Sequence, residues 1–479
     1  MRLLQARKIA GLINSASLAV TQAQFSSLNL PQSMLDNLKQ IGYSDMTPIQ
    51  AASLPEIIAG QDLIAKAKTG SGKTAAFGIG ALTKLEPRNY KVQLLVLCPT
   101  RELATQVSKE LRRLARFQPN VKILAICGGQ PIGPQIGSLQ HGAHVVVGTP
   151  GRIKDHLRKG TLNLSSLKTL VLDEADRMLE MGFNPDIRDI AAQTPRDRQT
   201  LLFSATYPDG IRDLSNDFQN NPVEVSVEAQ PEENTIRQRF YRVEKDAKTA
   251  TLLQLLHKYE PTSSVVFCNT KQQCQDVRQA LKNAGFYANA LQGDMDQRDR
   301  DQVLATFANR SCSVLVATDV AARGLDVEDL DMVVNYDLPR DPEVYVHRIG
   351  RTGRAGKSGL ALSICGEREH YKVTTIEEYT DQTVLYDTAP TNTNRETELP
   401  AHPPMVTLSI AGGRKQKVRP GDVLGALTGA AGIQGAQVGK IDVFDFFTYV
   451  AVERGVARKA LDQLLDGKIK GRKFKVRRL

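Results

Sequence analysis

The stretch Ala67-Lys68-Thr69-Gly70-Ser71-Gly72-Lys73-Thr74 constrains this chain more than any other. It follows a short apolar run, Leu63-Ile64-Ala65, and precedes Ala75-Ala76-Phe77-Gly78-Ile79, which reads as the start of a helix. The order is strand, tight glycine turn, helix. Gly70 and Gly72 let the backbone curl so that successive N–H groups aim at one centre, and the new helix adds its positive end. Such a nest suits phosphate groups. Lys73 is placed to reach terminal phosphates, and the Thr74 hydroxyl to ligate Mg²⁺. The pattern G-x-x-x-x-G-K-[ST] begins with glycine, and Ala67 stands in that place. An ordinary glycine turn is the bland alternative, and Gly-Lys-Thr in this setting argues against it.

A chain of 479 residues holds roughly three domains of ~150 residues. Its 41% hydrophobic content supports ordinary cores. The net charge of +10 favours a polyanionic partner. The surplus is local: residues 405–479 carry 15 Lys and Arg against 6 Asp and Glu. That points to a nucleic-acid-binding module there rather than a merely solvated basic face. The six cysteines form no C-x-x-C pair and lie in or beside apolar runs, which argues against zinc and for a reduced, cytoplasmic setting. No run is long or apolar enough to span a membrane. Residues 1–24 are basic and rich in Ser and Ala, but polar residues interrupt their apolar stretch. They read as an N-terminal extension rather than a targeting signal.

From residue 25 to about 228, short apolar runs alternate with helical segments. Strands are expected at 94–98, 121–126, 145–148, 169–172, 200–203 and 223–227, with helices that include 101–117 and 209–218. Continuous apolar runs are what parallel strands buried on both faces require. Residues 229–237 read as a linker. A second unit of the same kind spans 238–386. Its strands are expected at 239–243, 265–268, 288–291, 314–317, 332–335 and 360–364, and its helices at 248–258, 272–284 and 297–308. Proline, Thr, Asn and Glu at 387–404 make a tether. Residues 405–479 then run strand, helix, two strands, helix, strand, a ferredoxin-like order. In it 406–410, 447–452 and 474–476 are the strands and 420–427 and 457–465 the helices.

Val171-Leu172-Asp173-Glu174-Ala175-Asp176 is an apolar strand ending in carboxylates, where open parallel sheets bind ligands. Asp173 suits a Mg²⁺ site, through water, and Glu174 an attacking water. A helix start with favourable acids is the plain alternative.

With these motifs in place, the chain resembles the DEAD-box RNA helicases, whose name Asp173-Glu174-Ala175-Asp176 spells. Phe25, Gly42-Tyr43 and Thr47-Pro48-Ile49-Gln50 match that family's adenine-reading motif, an aromatic face and a carboxamide that both donates and accepts. Pro99-Thr100-Arg101-Glu102-Leu103-Ala104, Gly128-Gly129 and Thr149-Pro150-Gly151-Arg152 match its RNA-facing motifs, and Ser204-Ala205-Thr206 the one that couples two lobes. In the second unit Thr270, Gln297-x-x-Arg300, Ala317-Thr318-Asp319 through Gly324 and Asp326, and His347-Arg348-Ile349-Gly350-Arg351-Thr352-Gly353-Arg354 continue the match. Gln292 stands before Gly293-Asp294 where relatives often have His.

The resemblance implies two tandem RecA-like doubly wound parallel-sheet domains and a C-terminal α+β RRM-like domain. It implies an ATP site of Phe25, Gln50, residues 67–74, Gly324 and Asp326. Lys73, Asp173, Glu174, Arg351 and Arg354 carry the chemistry, the arginines because a guanidinium fork clasps phosphoryl oxygens. Asp176, Ser204, Thr206 and His347 couple the lobes, and Arg348 serves structure. RNA meets Arg101, Gly129, Thr149, Arg152, Thr270, Gly293, Gln297, Arg300 and Thr318, groups that suit phosphate and sugar rather than base edges.

Residues 405–479 resemble the RNA-binding domain of the DbpA subfamily through Ile410-Ala411-Gly412-Gly413, residues 419–427 and Gly467-Lys468-Ile469-Lys470-Gly471. That implies a hairpin of large-subunit ribosomal RNA as target and a role in ribosome assembly. Lys468, Lys470, Arg472, Lys473, Lys475 and Arg477 are its candidate contacts. Phe447 and Tyr449 alternate as a stacking pair would, and equally as core residues would. ATP, Mg²⁺, RNA and a monomer are expected. An ATP-gated RNA clamp or a general RNA chaperone, a DNA helicase, and a binding protein that uses only the tail are the rival readings.

Overall fold

The computed structural model describes residues 23–67, 70–207, 209–227, 236–322, 330–353, 358–390, 399–429 and 433–479. The chain divides into two compact units between residues 230 and 231.

Among the described residues, the first unit is built on one parallel sheet. Its strands are β1 (Leu63–Lys66), β2 (Leu94–Leu97), β3 (Ile123–Ile126), β4 (Val145–Gly148), β5 (Thr169–Asp173), β6 (Gln199–Ser204) and β7 (Val223–Ser226), in the order β3-β4-β2-β5-β6-β1-β7. Alternate residues of one strand serve two cores. Leu63 and Ala65 pack on one face with Leu94, Val96 and Phe203. Ile64 packs on the other with Leu95, Leu97 and Leu202. A strand covered on both sides has no polar face, which is why these runs read as continuously apolar. The predicted helix at 101–117 is an α-helix over Arg101–Leu114 followed by a 3-10 turn, Ala115–Phe117.

Among the described residues, the second unit holds two sheets. The parallel one comprises β8 (Ile236–Arg242), β9 (Ser264–Phe267), β10 (Ala288–Leu291), β11 (Val314–Ala317), β12 (Met332–Asn335), β13 (Gly359–Cys365) and β14 (Tyr386–Asp387), ordered β10-β11-β9-β12-β13-β8-β14. The antiparallel one comprises β15 (Met405–Ile410), β16 (Val438–Val443), β17 (Thr448–Glu453) and β18 (Val476–Arg478), ordered β16-β17-β15-β18. Helices Pro420–Thr428 and Ala457–Asp466 cover one of its faces through Val423, Leu427, Ala460 and Leu464. This is the strand order of a ferredoxin-like fold.

Three sequence expectations shift in this domain. The expected second strand had no residues assigned, and it is β16, with a register shift between Val438 and Ile441. The strand expected at 447–452 is Thr448–Glu453. The strand expected at 474–476 is Val476–Arg478, because the edge pairs Ile410 with Val476 and Leu408 with Arg478.

The other face of the antiparallel sheet meets the parallel-sheet lobe of the same unit. The Asn309 amide donates to Thr407 Oγ1 at 2.8 Å. The Arg298 guanidinium lies 4.1 Å from the Phe447 ring centre. Arg477 donates to Gln302 at 3.4 Å, and Tyr449 is buried. Phe447, by contrast, is half-buried beneath the Arg298 guanidinium. All six cysteines are free and buried. No helix among the described residues is long and apolar enough to cross a membrane.

Candidate functional site

In a parallel sheet all strands end at the same edge. β5, β6 and β1 are neighbours in the first sheet, so the motifs that follow them emerge side by side. Those motifs are Asp173-Glu174, Ser204-Ala205-Thr206 and the glycine turn at 70–72. The arrangement follows from topology before any side chain is considered.

Helix Lys73–Leu82 begins directly after Gly72, whose φ is +96°. A β-carbon at Gly72 would stand 2.5 Å from Gln50 Nε2, so glycine is required twice over, for conformation and for space. The Lys73 ammonium is buried and donates to the Ala67 carbonyl at 2.8 Å. Thr74 is half-buried at the first helical turn. Ser71 Oγ is buried with no hydrogen-bond partner among the described residues. A lone buried hydroxyl inside a glycine turn at a helix start fits a phosphate-bearing ligand. Lys68 and Thr69 lie outside the described residues.

Gln50 is buried against this turn. Its Nε2 donates to the Gly72 carbonyl at 3.1 Å, and its Oε1 accepts the Thr47 N–H at 3.0 Å as part of the cap of helix Pro48–Ala59. A carboxamide has two donors and two lone pairs, so one of each is left for a base edge. Phe25 packs edge-on against Tyr43, with ring centres 6.1 Å apart, and is buried.

Asp173 and Glu174 are both buried. Burial pushes the Asp173 carboxyl up to about 7, against the nearby Lys73, which lowers it. A carboxylate that pays so heavily for its charge suits a divalent cation, and with the Thr74 hydroxyl it makes the all-oxygen set that Mg²⁺ takes. Glu174 caps helix Ala175–Glu180 with φ +52°, a left-handed conformation costly for a side-chain-bearing residue. Arg177 holds it at 3.2 Å. Asp176 Oδ2 accepts the N–H of Ala205, the N–H of Thr206 and the Thr206 hydroxyl, each at 3.0 Å. Burial raises the Asp176 pKa, but the hydrogen bonds it accepts, including those from backbone N–H groups, outweigh it and hold the carboxyl below its usual range.

The RNA-facing candidates of this unit sit at the ends of β2, β3 and β4, farther along the same edge. Thr100 caps helix Arg101–Leu114. A β-carbon at Gly129, φ +68°, would collide with the Arg101 guanidinium. Thr149 precedes helix Pro150–Arg158. Arg152 donates to the Gln130 carbonyl and to Gln135 Oε1, both at 3.0 Å.

In the second unit Arg348 is buried beneath the sheet edge. It forks onto Asp319 at 2.6 and 2.8 Å and donates to Asn335, Asn269 and the Asp337 carbonyl. The ring of Phe267 lies 4.9 Å from its guanidinium. One side chain thus joins the ends of β9, β11 and β12. Arg351 and His347, at the end of and within helix Pro342–Ile349 respectively, are half-buried. Thr270 is exposed and caps helix Lys271–Asn283. Gly293 is exposed, Gln297 pairs with Asp301 at 2.6 Å, and Thr318 is buried. Arg300 points inward and donates to the Ala321 carbonyl at 2.7 Å and the Gln292 carbonyl at 3.4 Å, so it braces the segments that follow two strands. Gln292 donates to the Lys271 carbonyl at 2.7 Å. Gly324, Asp326 and Arg354 lie outside the described residues.

In the antiparallel domain Lys468, Lys470, Arg472, Lys473, Lys475 and Arg477 are exposed. Lys470 donates to the Lys417 carbonyl at 3.2 Å, which brings the basic segments 414–419 and 468–473 together. No motif assigns a role to Gln135 or His156, which are buried where no repeat or spacing marks them, or to Asn269 and Asp319, which the Arg348 fork draws together.

Comparison with known proteins agrees with this geometry. Residues 47–214 match the DEAD/DEAH box helicase family, 247–356 the helicase conserved C-terminal domain, and 407–478 the DbpA RNA binding domain. The chain is 54% identical over 456 residues to the ATP-dependent RNA helicase DbpA of Escherichia coli, covering 95% of this chain and 99% of that protein. It is 44% identical over 371 residues to the ATP-dependent RNA helicase CshA of Listeria monocytogenes, covering 77% of this chain and 71% of that one. Saccharomyces cerevisiae Dbp5 bound to RNA and ADP BeF3 superposes with a TM-score of 0.70 at 31% identity, over 76% of this chain and 96% of that one. The chain belongs to the DEAD-box family of ATP-dependent RNA helicases, enzymes that hydrolyse ATP in response to RNA, and carries a DbpA-type RNA-binding domain.

Proposed function

We propose that this helicase remodels structured RNA locally, that its C-terminal domain directs it to a hairpin of large-subunit ribosomal RNA, and that it acts in large-subunit assembly in the cytoplasm as a monomer. The observation that carries the catalytic part is the adjacency of β5, β6 and β1, which puts the glycine turn, the acid pair and Ser204-Ala205-Thr206 at one sheet edge. The address rests on the exposed basic row from Lys468 to Arg477 and on the resemblance to the DbpA-type domain.

In this reading the glycine turn holds the phosphates, with Lys73 moving from the Ala67 carbonyl to the terminal phosphate. Gln50 and Phe25 face the adenine. Thr74 and Asp173 would hold Mg²⁺, which would supply charge compensation for the phosphoryl oxygens. Glu174 orients the attacking water and takes its proton. Arg351 and Arg354, with Gly324 and Asp326, complete the site when the lobes close around ATP. Fingers of this kind are worth about 10³–10⁵ in rate. Asp176, Ser204, Thr206 and His347 relay closure. RNA bound along Arg101, Gly129, Thr149, Arg152, Thr270, Gly293, Gln297 and Thr318 prefers the closed state, so ATP and RNA strengthen each other's binding. Arg300 supports that surface from beneath.

The test is binding of the isolated ribosomal hairpin to the full-length protein and to a Lys468→Glu/Lys470→Glu/Arg472→Glu variant. The reading expects a loss of roughly 10²-fold or more in affinity at constant salt, with single-stranded RNA stimulation retained. Unchanged hairpin affinity would remove this row from the address.

A further inference from the structure

Among the described residues of helix Ile132–Gln140, the buried one is a glutamine, Gln135. Its carboxamide has three partners, one at the end of β3 and two on helix Pro150–Arg158. Nε2 donates to the Cys127 carbonyl at 2.9 Å, the residue immediately before Gly128-Gly129. Oε1 accepts from Arg152 Nη1 at 3.0 Å and pairs with His156 Nε2 at 3.1 Å. The orientation follows from chemistry. A guanidinium only donates and a carbonyl only accepts, so the amide oxygen must face Arg152 and the NH₂ must face Cys127. His156 then donates through Nε2, and its Nδ1 lies 2.8 Å from Thr161 Oγ1, which also donates to the His156 carbonyl at 3.2 Å. Burial and Arg152 both hold His156 below the usual histidine range.

Few side chains can do this. Glutamate cannot donate to the Cys127 carbonyl, asparagine is one methylene short, and an aliphatic residue would leave that carbonyl and one guanidinium N–H without Gln135. The same Arg152 nitrogen also donates to the Gln130 carbonyl, so the guanidinium clamps the segment on the far side of Gly128-Gly129. Gly129 in turn lies directly under the Arg101 guanidinium. A single buried amide therefore fixes the glycine loop and Arg152, and through the loop sets the floor on which Arg101 rests.

We propose that Gln135 is a positioning residue for RNA engagement, which holds Arg152 and the Gly128-Gly129 loop in one preorganised arrangement for the RNA backbone. The inference rests on the reading that Arg101, Gly129 and Arg152 meet RNA. An untethered guanidinium would have to be ordered at the moment of binding, and the loss would fall on RNA affinity rather than on the chemical step.

The experiment measures ATP hydrolysis by the full-length protein against single-stranded RNA concentration for Arg152→Ala, Gln135→Leu and the double variant. Arg152→Ala is expected to raise the half-stimulating RNA concentration about tenfold, and Gln135→Leu roughly fivefold with the maximal rate within about twofold. Because Gln135 acts in part through Arg152, the double variant is expected within about twofold of Arg152→Ala. Independent multiplication of the two effects, or a Gln135→Leu defect confined to the maximal rate, overturns the proposal. A parental RNA response in Arg152→Ala would instead remove the RNA reading of this loop. If Gln135→Leu does not fold, Gln135→Glu keeps the acceptor for Arg152 but loses the donor to the Cys127 carbonyl, and is expected to raise the half-stimulating concentration about threefold with the maximal rate within about twofold. A parental half-stimulating concentration, or a defect confined to the maximal rate, also overturns the proposal.

Discussion

Thr206 is bonded twice to one oxygen of Asp176: its N–H and its hydroxyl both reach Oδ2 at 3.0 Å. The end of β6 is thereby locked to the turn that carries Glu174. Thr206→Ala keeps the backbone bond and loses the other. It is expected to cost about 1 kcal/mol of stability. Strand displacement on a short RNA duplex is expected to fall at least about tenfold while RNA-stimulated hydrolysis stays within about threefold, a split that marks coupling rather than chemistry. Equal losses in both assays would place Thr206 in the chemical step.

Glu174 sits in a left-handed backbone conformation beside Arg177 and is buried at the sheet edge. Glu174→Gln keeps the shape and removes the base. Binding of ATP and RNA is expected to persist while turnover falls about 10²–10⁴-fold. Near-normal phosphate release from this variant would take Glu174 out of the role assigned to it.

Asp173 provides a pH test in protein free of metal and nucleotide. Its carboxyl is pushed up to about 7 by burial. A raised carboxyl pKa means that the fold tolerates the neutral form better than the charged one. Stability is then lost as pH rises from the unfolded value near 4 through about 7. Asp173→Asn removes that loss. The variant is expected to be more stable than the parent at pH 8, by no more than about 4 kcal/mol, and the difference should shrink as pH falls towards 4. Denaturant melts at several pH values check this, and a difference that does not vary with pH would contradict it.

Arg348 gathers Asp319, Asn335, Asn269 and the Asp337 carbonyl with its whole donor fork. Arg348→Ala removes the donor these groups share and leaves the Asp319 carboxylate without its fork, and is expected to destabilise the second lobe by about 3–5 kcal/mol. Arg348→Lys restores charge without the planar fork and should recover only part of the loss. Urea unfolding measures both, and full rescue by lysine would mean that charge is all that matters at this position.

How much of this was legible follows from burial. Strands such as Val145–Gly148 and Met332–Asn335 are covered on both faces, so their apolar runs announce them. β16 is half-exposed, interrupted by Gly439 and Lys440 and shifted in register, so neither alternation nor continuity marked it. β18 is an edge strand of Val476, Arg477 and Arg478, set by pairing with β15 rather than by side-chain pattern. At the site, motif residues such as Lys73, Asp173 and Thr206 were legible because their chemistry demands those side chains. The inward turn of Arg300 and the bracing of Gly72 by Gln50 depend on where neighbouring chain segments pass. So does the burial of Gln135, which lies where an amphipathic helix would normally place an apolar residue.

The most direct measurement of the central claim is steady-state ATP hydrolysis by the full-length protein under three conditions: no RNA, generic single-stranded RNA, and a large-subunit ribosomal RNA fragment containing its hairpin. If the C-terminal domain is an address and the two parallel-sheet lobes are the motor, the ribosomal fragment stimulates at a concentration roughly 10²-fold lower than generic RNA. The Lys468→Glu/Lys470→Glu/Arg472→Glu variant then loses that preference and keeps the response to generic RNA. Equal stimulation by both RNAs, unchanged in the variant, would contradict the address and leave the basic domain as a general RNA anchor.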